Sequence, residues 1–144
     1  MSLIDYFDRG RNLSGGNVAY EMDEQHWSFD EAYGISCRVA QGLVTHEVCK
    51  ETKSAVLSAN HPLSWMCVLG IWRAGLSWVP VNPRSTPAEN GELLDGFDVE
   101  VLFFQKYFEP MVQELRKSCP HLKFLVCIDG DVDGCESLQA WMTK

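Results

Sequence analysis

Two arginines stand where a ligand of an open α/β sheet would be met. Arg73 closes the apolar run Pro62 to Trp72, and Arg84 lies in the corner after "SWVPVNP". Arginine holds phosphate through a planar fork of N–H donors, and ligands of such sheets collect beyond the carboxyl ends of the strands. Both are therefore candidate phosphate contacts, with surface pairing to Glu89 or Glu92 as the competing arrangement. His61 precedes Pro62 at a helix start, where a neutral imidazole either accepts from free N–H groups or faces a substrate; the cap is the expected role. "DGDVDGCESLQA", Asp129 to Ala140, begins like a calcium loop, with Asp129, Asp131 and Asp133 at alternate positions and Gly134 at the sixth. Its twelfth position is Ala140 where a bidentate glutamate is needed, and a strand precedes it instead of a helix, so an acidic, solvated turn is expected and no metal site. Ser14-Gly15-Gly16-Asn17 has neither a preceding strand nor a following lysine and matches no phosphate loop. No G-x-S-x-G elbow occurs, and no catalytic residue is assigned to the chain.

Bulk properties narrow the classes further. The 144 residues suffice for one ordinary domain, and 46% hydrophobic against 22% charged residues is a globular balance. A net charge of -8, with 12 basic residues scattered among 20 acidic ones, excludes a nucleic-acid surface, which needs clustered Lys and Arg. Cys37, Cys49, Cys67, Cys119, Cys127 and Cys135 form no C-x-x-C pair and several lie in apolar runs, so buried free thiols in a reducing, cytoplasmic compartment are expected. No basic-then-apolar leader opens the chain, and its longest apolar run is too short to span a bilayer.

The elements that must position these residues follow from periodicity. Residues 1–16 read as an N-terminal arm of weak helical pattern broken at Gly15-Gly16, followed by a β-hairpin turning at Asp23-Glu24-Gln25. Ser28 and Glu31 form a capping box for a helix whose buried face runs through Phe29, Ala32, Tyr33, Ser36, Ala40, Leu43 and Val44; Thr86, Pro87 and Glu89 form another. Beyond Lys53, four nearly unbroken apolar strands, in "SAVLSAN", "SWVPVN", "VEVLFF" and "LKFLVCI", alternate with three helices. Strands of that kind are covered on both faces, which predicts a mostly parallel, doubly wound α/β sheet with flanking helices. The helix from Pro62 to Ala74 has almost no polar side and must be covered all round, by this domain or by another lobe or subunit. Residues 129–144 read as the acidic turn and a C-terminal tail.

The order of pieces in "TKSAVLSANHPLSWMCVLGIWRAGLSWVPVNPRSTPAENGELLDGFDVEVLF" resembles the adenylate-forming superfamily of acyl- and aryl-CoA synthetases, luciferases and peptide-synthetase adenylation domains. Ala55 to Asn60, Pro62 to Trp72, Arg73-Ala74-Gly75, Trp78 to Arg84 and Val101-Leu102-Phe103 take the places of that family's strand ending in Asn, apolar helix, basic-Ala-Gly turn, "YVPLNPR"-like corner and "VLI" strand. Upstream, "HWSFDEAYGISCRVAQGL" is similar to its "TY-x-EL" helix, with Phe29 where Tyr is commoner. The resemblance implies an N-terminal subdomain over 17–128. It implies a parent enzyme that adenylates a carboxylic acid with ATP and magnesium and commonly transfers the acyl group to coenzyme A, with Arg73 and Arg84 as contacts to coenzyme A phosphates. The family's phosphate loop, ribose-binding Asp and catalytic Lys belong downstream, so the chain alone is expected to be inactive and to self-associate through exposed apolar surface. A small non-catalytic α/β interaction module sharing the architecture is the alternative.

Overall fold

The computed structural model describes residues 1–48 and 50–144; the expectation of a buried thiol at Cys49 lies outside them. Helix α1 (Leu3–Ser14) leads to an antiparallel hairpin, β1 (Val18–Met22) and β2 (Gln25–Ser28), which turns through Asp23 at a positive φ of 54°. Then follow α2 (Phe29–Thr45), β3 (Lys53–Leu57), α3 (Pro62–Arg73), β4 (Ser77–Pro80), α4 (Pro87–Gly96), β5 (Val99–Phe104), α5 (Glu109–Ser118), β6 (Phe124–Cys127), β7 (Glu136–Ser137) and α6 (Leu138–Trp141). The five strands from β3 onward form one sheet in the order β4-β3-β5-β6-β7, every neighbouring pair parallel. That is the expected doubly wound α/β arrangement.

Local chemistry starts and stops the helices. Ser28 Oγ accepts from Glu31 N–H at 3.1 Å while Ser28 N–H donates to Glu31 Oε2 at 2.7 Å. Thr86 and Glu89 repeat the reciprocal pair at 3.2 and 2.8 Å, with Pro87 pre-set at the first helical position. The two Thr86 hydrogen bonds also hold the Glu89 carboxyl below its ordinary range. Gly75 ends α3 with φ +76°, a conformation that costs other residues a clash at Cβ.

Two apolar layers cover the sheet. Val56, Val101, Phe103 and Val126 pack with α2, α3 and α6, and Ala55, Leu57, Leu102, Phe104 and Leu125 pack with the α4–α5 side. The middle of α3 is covered within this domain, Met66 to Ile71 all buried against the sheet on one side and α2 on the other, whereas Trp65 stays exposed. Residues 129–144 differ from the turn-and-tail reading. They add β7 to the sheet and end in α6, whose Trp141 is wholly buried. Four helical and two strand residues carry no periodicity of their own, so this segment is shaped by what it packs against. The first helix is likewise packed, with Ile4 buried and the Phe7 and Phe29 rings 5.8 Å apart. Of the five described cysteines, all free, Cys67, Cys119 and Cys127 are buried, whereas Cys37 and Cys135 are partly exposed. Burial pushes the Cys67 thiol far up, so it is inert.

Candidate functional site

In the strand order of this sheet the winding reverses between β3 and β5, and a ligand crevice is expected between their carboxyl ends. Here that crevice is bridged. Gln105, the residue after β5, donates its N–H to Leu57 O at 3.1 Å, and its Oε1 accepts from Ala59 N–H at 2.8 Å and from Ser58 Oγ at 2.9 Å. Ser58 Oγ also lies 2.5 Å from Ser64 Oγ on α3, which ties the loop before α3 to the helix itself.

The opening is displaced toward β4. A cleft of about 530 Å³ lies between the carboxyl ends of β3 and β4, the first turns of α3 and the hairpin strand β1, a volume suited to one small molecule. Val56 and Val68 line its apolar part together with Trp65 and Trp78. Trp65, Trp72 and Trp78 meet edge to face, with centroids 5.5, 6.2 and 5.9 Å apart, a favoured aromatic geometry. Trp65 Nε1–H donates to the Tyr20 hydroxyl at 3.0 Å, fastening the hairpin across the cleft. Trp78 Nε1 and Ser54 Oγ, neighbours in register on β4 and β3, are buried without a hydrogen-bond partner among the described residues. Nε1 of Trp78 is therefore no contact for anything in the cleft.

Tyr20, Glu21, Ser58, Asn60, His61 and Ser64 are the polar residues lining the cleft, so it offers both donors and acceptors. Burial raises the Tyr20 hydroxyl pKa, partly countered by the Trp65 bond, so it stays protonated; its oxygen accepts and its proton has no acceptor among the described residues. His61 Nδ1 accepts from Leu63 N–H at 3.1 Å, as a helix cap. In the neutral ring this leaves the proton on Nε2, which has no partner among the described residues. Glu21 on the rim is the one carboxylate lining the cleft, 3.8 Å from His26 Nδ1. The site can bind and orient. It has no nucleophile paired with a free base, because His61 Nδ1 is spent on the cap.

The two arginines lie at opposite ends of the sheet. Arg73 ends α3, which runs back toward the amino ends of the strands, and its guanidinium meets Asp8 at 2.6 and 3.0 Å, Ser36 Oγ at 3.0 Å and the Tyr33 ring at 4.5 Å. It ties α1 to α2 and α3. Arg84 sits beyond the carboxyl end of β4, exposed, and forms no ion pair with Glu89 or Glu92. Its corner is rigid. Arg84 N–H donates to Asn82 Oδ1 at 3.0 Å, and Asn90, 2% exposed on α4, donates from Nδ2 to Asn82 O at 3.0 Å. Among the described residues Arg84 is thus a charge without an ion-pair partner on a fixed corner. Among the described residues no group of three or more His, Cys, Asp or Glu is placed to hold a metal ion. Asp129 Oδ1 instead accepts from Lys106 N–H at 2.7 Å, strapping the ends of β5 and β6 together.

Tyr20, Trp65 and Gln105 were not foreseen from the sequence. Their partners lie 45 to 47 residues away, so no local spacing carries the signal.

The comparisons with known proteins agree with this architecture. Residues 7–143 match the family model described as AMP-binding enzyme. The chain is 26% identical over 144 residues to an indoleacetate–CoA ligase of Aromatoleum aromaticum, covering 100% of this chain and 28% of that enzyme. It is 26% identical over 131 residues to a 4-hydroxybenzoate–CoA/benzoate–CoA ligase of Rhodopseudomonas palustris, covering 90% of this chain and 24% of the relative. An anthranilate CoA ligase in complex with anthranoyl-AMP superposes with a TM-score of 0.91 at 20% identity, over 99% of this chain and 27% of its own. A benzoate CoA ligase of Burkholderia xenovorans does so with a TM-score of 0.88 at 18% identity, over 99% and 28%. The chain therefore spans roughly a quarter of the length of these relatives. On the match across residues 7–143 and the parallel sheet those residues build, the chain belongs to the AMP-binding enzyme family of adenylate-forming proteins.

Proposed function

We propose that the chain is the amino-terminal portion of an ATP-dependent acid–CoA ligase. In that reaction a carboxylate oxygen attacks the α-phosphate of ATP with loss of pyrophosphate, and the coenzyme A thiolate then displaces AMP to leave a thioester. The observation that carries this reading is the family match over residues 7–143. Within this reading an aromatic acid is the favoured substrate, supported by the names of relatives that act on indoleacetate and on 4-hydroxybenzoate or benzoate. A fatty acid is the alternative, which medium/long-chain-fatty-acid–CoA ligases among the relatives support. A cytoplasmic location goes with this reading, supported by five free thiols; no helix of the described residues is long and apolar enough to cross a membrane.

The charge that develops in adenylation is stabilised by cations and preorganised donors around the phosphates. No Ser/Thr/Gly-rich phosphate loop with its lysine occurs in the sequence, and in this reading the 144 residues supply scaffold. Pyrophosphate release by the isolated chain, with ATP, magnesium and benzoate or indoleacetate, is expected to stay at the level of a blank without protein. Turnover above that blank overturns the division of labour.

Arg84 is the proposed contact to a coenzyme A phosphate. Arg73 is the weaker proposal for that role, because its guanidinium is already paired with Asp8. In the full-length parent, Arg84→Ala is expected to raise the KM for coenzyme A about tenfold, as for a lost charge-assisted hydrogen bond, with the pyrophosphate-exchange half-reaction unchanged. Equal loss in both half-reactions refutes the assignment.

A further inference from the structure

The outer side of α1 is unlike the rest of the surface. Five of the nine large apolar side chains that stand exposed among the described residues, Met1, Leu3, Tyr6, Leu13 and Val18, fall in the first 18 residues. Leu3, Tyr6 and Leu13 are 62, 63 and 86% exposed. At 3.6 residues per turn these three lie within an arc of about 80° and span about 15 Å, a stripe separate from Ile4 and Phe7, which pack on the domain. The helix that carries it is fixed. Asp8 meets the Arg73 guanidinium at 2.6 and 3.0 Å, Arg11 Nε meets Asp30 Oδ1 at 2.8 Å, and the Phe7 ring rests on Phe29. A helix held in this way loses little further freedom when a second surface covers it. Charge sets the segment apart as well. Asp5 and Asp8 balance Arg9 and Arg11, so the first 18 residues are neutral and the whole net charge of -8 rests on the remainder. Two copies therefore repel each other over most of their surface, and least across α1.

We infer that the outer stripe of α1 docks a second copy of this chain, the two helices pairing antiparallel across a two-fold axis. A two-fold contact is self-complementary, so one stripe supplies both sides. Antiparallel pairing lays Leu3 of each copy against Leu13 of the other and leaves the two Tyr6 rings to fill the middle. It also brings the Asp5 turn of each helix toward the Arg9 turn of the other and opposes the two helix dipoles. Parallel pairing would set like charge beside like. A seam between two twelve-residue helices falls short of the roughly 1,200 Å² that stable interfaces bury, so the dimer is weak. The inference rests on α1 and not on the ligase reading, and each can fail without the other.

Sedimentation equilibrium of the 144-residue chain, from about 10 µM to about 2 mM, is the test. A monomer–dimer equilibrium with a dissociation constant of about 0.1–1 mM is expected. Leu13→Glu and Tyr6→Glu place a charge in the seam, and each is expected to weaken the dimer at least about tenfold. The indole N–H resonance of the buried Trp141 should stay in place in both, since the replaced side chains are exposed. Val44→Glu adds the same charge at a side chain as exposed as Leu3 but in the last turn of α2, and should leave the equilibrium within about twofold of wild type. Direction is read by cross-linking. Mixed Leu3→Cys and Leu13→Cys chains should join through a disulfide between positions 3 and 13, identified by peptide mass spectrometry. Leu13→Cys alone should not join at position 13, because antiparallel pairing holds its two copies about 15 Å apart, beyond disulfide reach. Monomers at every concentration overturn the inference and leave the stripe to a different partner. It is also overturned by a dimer that both glutamate variants of α1 retain at full strength, by equal loss in Val44→Glu, or by a disulfide joining two copies at position 13.

Discussion

Replacing Trp141 by alanine is expected to remove about 3–5 kcal/mol of folding stability, the range for emptying a large buried aromatic site. The residue is fully buried in the last turn of the chain, against elements far away in sequence. Its ring stacks on His46 at 4.0 Å and 10° and meets Phe103 and Phe124 edge to face at 5.7 and 5.9 Å. Its Nε1–H donates to Val39 O at 3.2 Å. His46 is itself held, donating from Nδ1 to Gly42 O at 2.7 Å, and Glu136 lies 3.3 Å from its Nε2 and pairs with Lys144. Gly42 completes the seat, because a Cβ there would lie 2.6 Å from Trp141 Cδ1, well inside van der Waals contact. A domain of this size holds about 5–15 kcal/mol in total, so the alanine variant should melt well over 5 °C lower. Gly42→Ala should produce much of the same loss by expelling the ring. Urea midpoints of wild type, Trp141→Ala and Gly42→Ala decide the matter. Values within 0.5 kcal/mol of wild type for Trp141→Ala would mean that α6 does not pack on α2.

The same region marks where sequence reasoning stops. Capping boxes at Ser28–Glu31 and Thr86–Glu89 were legible because donor and acceptor lie three residues apart on one turn. The parallel strands were legible because a strand covered on both faces is mostly apolar, as Val99 to Phe104 shows, buried at every position with Glu100, paired to Lys123, as its charged residue. Helix α6 was not legible. Its stability comes from Trp141 seated on α2 and β5, and a lone tryptophan near a chain end carries no period. Arg73 shows in the sequence only as a charge at the end of an apolar helix, because its partner Asp8 stands 65 residues earlier. The cleft was hidden for the same reason: its loop is set by Gln105 reaching back 46 residues to Ala59 N–H. Arg84, in contrast, was visible as a charge on a corner, because the turn that presents it is made by neighbours Asn82 and Pro83.

Gly70→Ala is the second large effect, and there two opposing terms must be weighed. Alanine in a helix interior is favoured over glycine by about 1 kcal/mol, so at an open position the change would stabilise α3. Gly70, however, is where α3 crosses α2. A Cβ there would lie 2.6 Å from Val39 Cβ and 3.1 Å from Ser36 O. Neither neighbour can rotate away, since one is a β-carbon and the other a backbone carbonyl. Relief requires the helices to part by roughly 1 Å to restore a normal carbon–carbon separation. That would loosen Cys67, Val68 and Ile71, each buried to within 2%, and overpacking of this kind costs about 1–3 kcal/mol. The clash is expected to win, giving a net loss of about 1–2 kcal/mol in urea unfolding. Gly96→Ala, with no atom within 4 Å of the added carbon, is the matched control and should be neutral or slightly stabilising. The loss at Gly70 should shrink when Val39 is also trimmed to alanine, since the γ-methyl groups then vanish while the β-carbon remains. A Gly70→Ala variant more stable than wild type would mean that α2 and α3 stand further apart than the crossing described, and the wall that carries Trp65 into the cleft would have to be redrawn with them.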